Sequence, residues 1–363
     1  MLSNKSNKSL NGKEEEKAFS RSCTLSKQFV DNFQTILPRI IDDCLSKGSL
    51  LDNADMKARI KKMSLYYTLE TKPLLGELML YAFEILNGDE SPNEELRQKA
   101  YVLACVLELG ISYFLFIDDI EDESKVRFSK PCWYFLPDVG SLAMNDCSIL
   151  RSVIHELLRQ NFPASMYLQL INFVNKIYIV TAIGQHMDIA LASKRNYDNY
   201  TMDNYCSMAV NKQIFAIKGP IVFALLLANK ATDVFMHQVQ DISMDIAILL
   251  QIQNDLMDLN CDGLKSSTDI QKGKCSWLAV KALEICNEKQ RSIFEKCYGS
   301  WDPNHVKVIQ ELYEELNLSQ LFFEEKQTRH EAFLRNIKEL TPNIIPGVNF
   351  YQKLFKLLVD LKI

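Results

Sequence analysis

The segment YFLFIDDIEDES, residues 113–124, places two aspartates, Asp118 and Asp122, one helical turn apart at the end of an apolar run. Positions i and i+4 share a helix face, so both carboxylates project together from a helix whose preceding turns are Tyr, Phe, Leu and Ile. Like charges so placed repel each other, and they stand at the negative pole of the helix macrodipole. The arrangement costs stability unless a cation lies between them. Carboxylate oxygens of this kind suit magnesium, which keeps several waters and shares phosphate oxygens. An apolar helix ending in such a pair belongs to a large helical core, and the expected fold class is all-α.

The same pattern recurs in LLQIQNDLMDLNCD, residues 249–262, where Asn254 and Asp258 lie at i and i+4 with Asp255 beside them. Two acidic helix ends facing each other across a bundle would form a two-sided metal clamp, with Asp118, Asp122, Asn254, Asp255 and Asp258 as its ligands. A diphosphate leaving carbon also needs cationic side chains to neutralise its growing charge. Arg127 follows the first cluster, Lys265 and Lys274 follow the second, and Lys212 lies between them in AVNKQIF.

The rest of the chain fits this reading. With 363 residues, 47% of them hydrophobic and 24% charged, it can bury a large core. Its 12 glycines and 10 prolines leave long stretches of apolar residues at three- and four-residue spacing. Helices are expected near 26–47, 73–87, 93–122, 140–160, 164–191, 213–229, 231–260, 274–297, 303–340 and 349–360. A net charge of -5 offers no basic field for nucleic acid, and no apolar run approaches the roughly 20 residues that span a bilayer. Residues 1–24, rich in Ser, Asn and Lys, read as a flexible tail before a single helical domain over 25–363. That tail has no apolar signal-peptide core, and Glu14, Glu15 and Glu16 argue against a mitochondrial presequence, so a cytoplasmic setting is expected. Ten scattered cysteines without CxxC pairs read as buried thiols in a reducing compartment, and five histidines form no metal-binding pair.

These residues resemble the farnesyl diphosphate synthases. DDIEDESKVRFSKPCWYFLPDVGSLAMNDCSIL, residues 118–150, is similar to the first aspartate-rich region of that family and the loop after it. QIQNDLMDLNCDGLKSSTDIQKGKCSWLAVKALE, residues 251–284, is similar to the second, with IGQHMD at 183–188 and VNKQ at 210–213 also matching. The resemblance implies an isoprenyl diphosphate synthase (class I terpenoid) helical bundle around a central apolar cavity, a homodimer, and three magnesium ions. It also implies that Asp118, Asp119, Asp122, Arg127 and Lys212 are catalytic, and that Arg127, Lys212, Gln251, Lys265 and Lys274 hold an allylic diphosphate. In the family, bulky groups at the positions of Tyr113 and Phe114 limit chain length, here to fifteen carbons at most. Thr181, Gly184 and Gln185 form a polar, glycine-broken spot on an apolar helix that could expose carbonyls to the cavity.

Departures from the family pattern concentrate at the site of its second substrate, isopentenyl diphosphate. The motif that carries a lysine and an arginine there corresponds to residues 70–76, where Lys72 remains but Leu75 replaces the arginine. The second of a pair of arginines is Phe128, a glutamine contact is Ile111, and the basic C-terminal tail is reduced to LVDLKI. Each lost cation removes a charge-assisted hydrogen bond of about 1.5–3 kcal/mol, so two weaken that site by roughly two to four decades. The resemblance, read with these departures, implies a terpene synthase of the insect type, a lyase ionising farnesyl diphosphate to a sesquiterpene or its alcohol, as for a pheromone. The alternatives are a short-chain prenyltransferase making geranyl or farnesyl diphosphate, and a catalytically silent subunit of one.

Overall fold

Asn93 opens the central helix by accepting the Leu96 N–H at 2.8 Å, and the chain then stays helical to Glu121. This helix is buried on nearly all sides through its middle, as an apolar stretch with few charges requires. It is the fourth of fourteen helices in a computed structural model that describes residues 27–47, 53–88, 92–260, 268–340 and 344–357. In chain order the first eight are α1 (Lys27–Lys47), α2 (Ala54–Tyr66), α3 (Leu74–Asn87), α4 (Glu94–Glu121), α5 (Leu142–Asn161), α6 (Ala164–Lys194), α7 (Met202–Leu227) and α8 (Asp233–Asn260). Then follow α9 (Asp269–Lys272), α10 (Trp277–Ile285), α11 (Glu288–Cys297), α12 (Pro303–Glu315), α13 (Leu318–Leu340) and α14 (Val348–Phe355). Among the described residues the only strands are β1 (Val126–Arg127) and β2 (Lys130–Pro131), paired antiparallel.

The all-α expectation holds, with changes at four places. Residues 54–66 form α2 where no helix was expected, and α7 begins at Met202, well before residue 213. The stretch 274–297 divides at Cys286, where Asn287 and Gln290 form a capping box that starts α11. The stretch 303–340 divides at Asn317, whose φ of 52° is left-handed. The tail over 1–24 and the LVDLKI terminus lie outside the described residues.

A larger apolar cluster joins α1 to α8 and the C-terminal helices, and a smaller one, around Tyr205, Trp277 and Phe294, joins the ends of α7 and α8 to α10–α13. The site lies where these clusters meet. Helices α6 and α7 approach closely because residue 184 is glycine: a Cβ there would stand 2.3 Å from the Lys212 backbone nitrogen. Helix α6 runs unbroken through Gly184, so this glycine serves close packing and not the exposure of carbonyls.

The membrane expectation also needs correction. By length and composition alone α4, α6 and α7 are long and apolar enough to cross a bilayer. Isolated polar residues interrupt an apolar run without lowering a helix-long average, and helices central to a bundle are apolar on several faces. Of these three, α6 is the least covered, and Leu168, Ile179 and Ile183 are exposed along it.

Candidate active site

The first acidic cluster ends α4, and a short hairpin turns the chain back over it. Phe128 and Ser129, at the hairpin tip, both adopt left-handed backbone with φ of 53° and 59°, the pairing that a two-residue turn of matching twist requires. This turn returns Arg127 to the helix end it has just left. Its Nη2 donates to Asp118 Oδ2 at 2.6 Å and its Nε to Asp119 Oδ1 at 2.7 Å. Below the hairpin, Tyr67 Oη donates to Asp119 Oδ2 at 2.5 Å, and Asp146 accepts from Trp133 Nε1 and, bidentately, from Arg59. Asp119 thus points into the protein and holds Arg127 in place, while Asp118 and Asp122 meet side chains from other elements.

Three further elements converge on those two carboxylates. From α6, Gln185 Nε2 donates to Asp118 Oδ1 at 2.7 Å. From α7, Lys212 Nζ stands 3.3 Å from Asp118 Oδ1 and 2.7 Å from Asp188 Oδ2. From the segment before α10, Lys274 Nζ lies 2.6 Å from Asp122 Oδ1 and 3.0 Å from the same Asp188 oxygen. The chain after the second motif therefore meets the first motif directly.

Asp188 is the residue that the sequence reading missed. Burial raises its pKa, but Lys212 and Lys274 outweigh that and hold it at about 2. The same contacts raise the pKa of Lys212 and Lys274 against a burial effect of opposite sign, as Asp118 and Asp119 do for Arg127. A buried cluster of this kind is tolerable because every charge has a partner. Its signal was present in IGQHMD, where Asp188 stands three residues, or nearly one turn, beyond Gln185.

The second motif divides differently from the expectation. Asp255 is buried away from the first cluster: its Oδ2 accepts from Tyr205 Oη at 2.9 Å and from the Trp277 N–H at 2.7 Å, and its Oδ1 from Gln251 Nε2 at 2.7 Å. Gln251 in turn accepts from Gln213 at 2.6 Å. Held in the interior by a tyrosine hydroxyl, a backbone N–H and a glutamine amide, Asp255 joins α7, α8 and α10 and serves the scaffold, and Gln251 is committed to that network instead of a diphosphate. Burial lifts the Asp255 carboxyl to about 6. Asn254, half-buried one position earlier, remains available as an oxygen donor. The Asp258 side chain and Lys265 lie outside the described residues.

At the expected second-substrate position, Lys72 is exposed, Leu75 is buried, and Ile111 and Phe128 pack against the larger core. Helix α3 begins there without a side-chain cap of its own, and Glu108 of α4 supplies one by accepting the Gly76 N–H at 2.8 Å. Burial pushes the Glu108 carboxyl up to about 8, and the backbone N–H groups of Gly76 and Leu75 offset that only in part. One turn before Asp118, Tyr113 and Phe114 pack against Tyr178 of α6.

Residues 57–316 match the family described as Polyprenyl synthetase. The chain is 32% identical over 335 residues to the Monoterpene synthase FDS-5, chloroplastic, of Artemisia spiciformis, a match that covers 87% of this chain and 81% of that protein. It is 31% identical over 331 residues to the Farnesyl pyrophosphate synthase of Schizosaccharomyces pombe, covering 89% and 94% respectively. Among solved structures, T. brucei Farnesyl Diphosphate Synthase Complexed with Risedronate has a TM-score of 0.81 at 25% identity and covers 92% of this chain and 98% of its own. The bundle is that of the isoprenyl diphosphate synthases.

Proposed function

The chain belongs to the polyprenyl synthetase family, and on that premise we propose that it is a terpene synthase that ionises one allylic diphosphate, farnesyl diphosphate first, with no second substrate. The observation that carries this reading is the contrast between two sites. At the first, Arg127, Lys212 and Lys274 converge on Asp118, Asp122 and Asp188. At the second, Leu75, Ile111 and Phe128 are packed into apolar surroundings.

The residues present fit magnesium. Asp118 and Asp122 offer hard oxygens, the half-buried Asn254 of the second motif is a further candidate oxygen ligand, and a pair of carboxylates with substrate phosphates is how this ion is commonly held. Among the described residues no cage of three carboxylates or imidazoles converges, so the remaining coordination in this reading comes from phosphate and water. In a set of three ions, bound magnesium would supply Lewis-acid neutralisation of the leaving diphosphate. The chain's own cations do the rest. Arg127, Lys212 and Lys274, already charged and oriented, take the diphosphate oxygens as the C–O bond breaks and its electron pair leaves with the phosphate. Gln185 keeps Asp118 aligned. The allylic cation left behind meets aromatic faces, including Phe114 and Phe215, that favour positive charge. With no bound nucleophile, it reacts with its own double bonds or with water.

The test is turnover with magnesium and farnesyl diphosphate alone, and then with geranyl or dimethylallyl diphosphate plus isopentenyl diphosphate. Release of a hydrocarbon or alcohol from the single substrate supports the proposal, and a longer diphosphate formed only from the pair sinks it. That second outcome is the prenyltransferase reading, which the farnesyl pyrophosphate synthase relatives favour. The exposed apolar line on α6 supports a homodimer as part of this proposal. Eight described cysteines, all unpaired, are in keeping with a cytoplasmic setting.

A further inference from the structure

Lys212 is carried on a long helix and Arg127 on a paired hairpin, but Lys274 lies in the short link between α9 and α10. A link of this kind does not by its own geometry aim a side chain. Gly273 leaves α9 in left-handed backbone, with φ of 68°, and a Cβ on it would stand 3.2 Å from Gly299 Cα. The link therefore rests directly on the chain that follows α11, and the Gly299 N–H donates to Ile270 O at 2.9 Å across the same contact.

In a continuous helix the Gly273 carbonyl would accept the Trp277 N–H, which here goes to Asp255. Tyrosine hydroxyls fill that gap. Tyr200 Oη, from the segment before α7, donates to Gly273 O at 2.6 Å, and Tyr298 Oη, from the end of α11, donates to Lys274 O at 2.7 Å. These carbonyls belong to the peptide units on either side of the Lys274 Cα. Because each unit is planar, pinning both fixes the φ and ψ of Lys274 and so the direction in which its side chain leaves the backbone. The Lys274 N–H adds a third hold by donating to Asp269 O at 3.0 Å.

The two tyrosines are themselves locked. Both are buried, and the ring of Tyr197 meets theirs edge-on with centroids 5.2 and 6.1 Å away. Tyr197 Oη also donates to Tyr298 O at 2.9 Å, and Tyr298 stacks on Phe294 at 4.4 Å. Phenylalanine would fill the same space, so the hydroxyls answer to the two carbonyls. Between those carbonyls stands the one residue of the link whose Nζ reaches both Asp122 and Asp188.

Resting on the function proposed above, we infer that Tyr200 and Tyr298 are positioning residues for the diphosphate site, holding Lys274 aimed between Asp122 and Asp188 before substrate arrives. An incoming diphosphate then meets a cation already in place and does not have to order the link to obtain one.

Calorimetry of the full chain with magnesium and inorganic pyrophosphate tests this without reference to which reaction follows. Tyr298→Phe and Tyr200→Phe keep the rings and remove only the hydroxyls, and each should weaken pyrophosphate binding roughly tenfold, with Lys274→Ala weakening it by at least as much. The deciding measurement is the double-mutant cycle. In the Lys274→Ala background Tyr298→Phe should change the affinity by about twofold or less, because the side chain it positions is gone. A merely structural role would weaken binding by the same factor with or without the lysine. Such additivity overturns the inference, as does a folded Tyr298→Phe variant that binds pyrophosphate as wild type does. If Tyr298→Phe does not fold, Tyr200→Phe, acting on the preceding peptide unit, runs the same cycle with the same two outcomes. Wild-type affinity in Lys274→Ala would overturn the charged site itself and the inference with it. Failure of the terpene synthase reading would appear only in the turnover assay and leave these affinities as expected.

Discussion

Glu108→Gln should stabilise the protein increasingly as pH rises. The Glu108 carboxyl is 4% exposed, and burial raises its pKa from 4.5 to about 8. Below the lower value both folded and unfolded chains hold the proton, and the folded state carries no penalty. Between the two values only the folded chain holds it, so stability present at low pH is lost as pH rises through the folded pKa. Each pH unit of that interval corresponds to about 1.36 kcal/mol, which sets an upper bound on the order of 5 kcal/mol across the whole of it. Solvent and backbone relaxation reduce this, and about 2–3 kcal/mol is expected near pH 8. Glutamine keeps the acceptor for the Gly76 N–H and has no proton to lose. Urea unfolding of wild type and variant should therefore give similar stabilities near pH 5 and a gap that opens toward pH 8. A gap that stays constant with pH, or a variant less stable than wild type at pH 8, would refute the assignment of a protonated, buried Glu108.

Three other outcomes follow from the site. Asp255→Ala strands the Tyr205 hydroxyl, the Trp277 N–H and the Gln251 amide, and it should cost about 3–5 kcal/mol in denaturant unfolding. A loss under about 1 kcal/mol would mean the network is not structural. Asp188→Asn removes the carboxylate that Lys212 and Lys274 share, and turnover should fall roughly 10²-fold while denaturant unfolding shows a loss of about 3–5 kcal/mol. Leu75→Arg combined with Phe128→Arg should restore measurable isopentenyl diphosphate binding, by two to four decades at about 1.5–3 kcal/mol per cation. A calorimetric null would count against the view that lost cations disabled that site.

Much of the architecture was legible because burial leaves a periodic trace. Helix α4 announces itself through an apolar run that ends in carboxylates, an arrangement costly enough to require an explanation. Helix α2 did not, because only Ile60, Met63 and Ser64 of its thirteen residues are buried and its stripe is narrow. The early turns of α7 bury Tyr205, Met208 and Ala209 between polar neighbours, which hid their register. At the site, the pairing of Asp118 with Asp122 was legible in their spacing, whereas Lys212, far from both in sequence, was named through the resemblance. Asp188 was not, since its meaning comes from lysines 24 and 86 residues away. Asp255 was misread because adjacency in sequence stood in for direction. One residue turns a helix by about 100°, which carries Asp255 off the face shared by Asn254 and Asp258.

That turn of the helix bears on how such chains change over evolutionary time. The aspartate most deeply embedded in the second motif answers to the scaffold, where it ties α7 and α8 to the start of α10. Folding would preserve it in a descendant whose chemistry had been lost entirely. Selection on reactivity and selection on foldability thus overlap within a few neighbouring positions, and a surviving acidic signature there is as much a record of ancestry as of function. Asp118 and Asp122, whose partners are the side chains of the proposed diphosphate site, are where loss of activity would first be written.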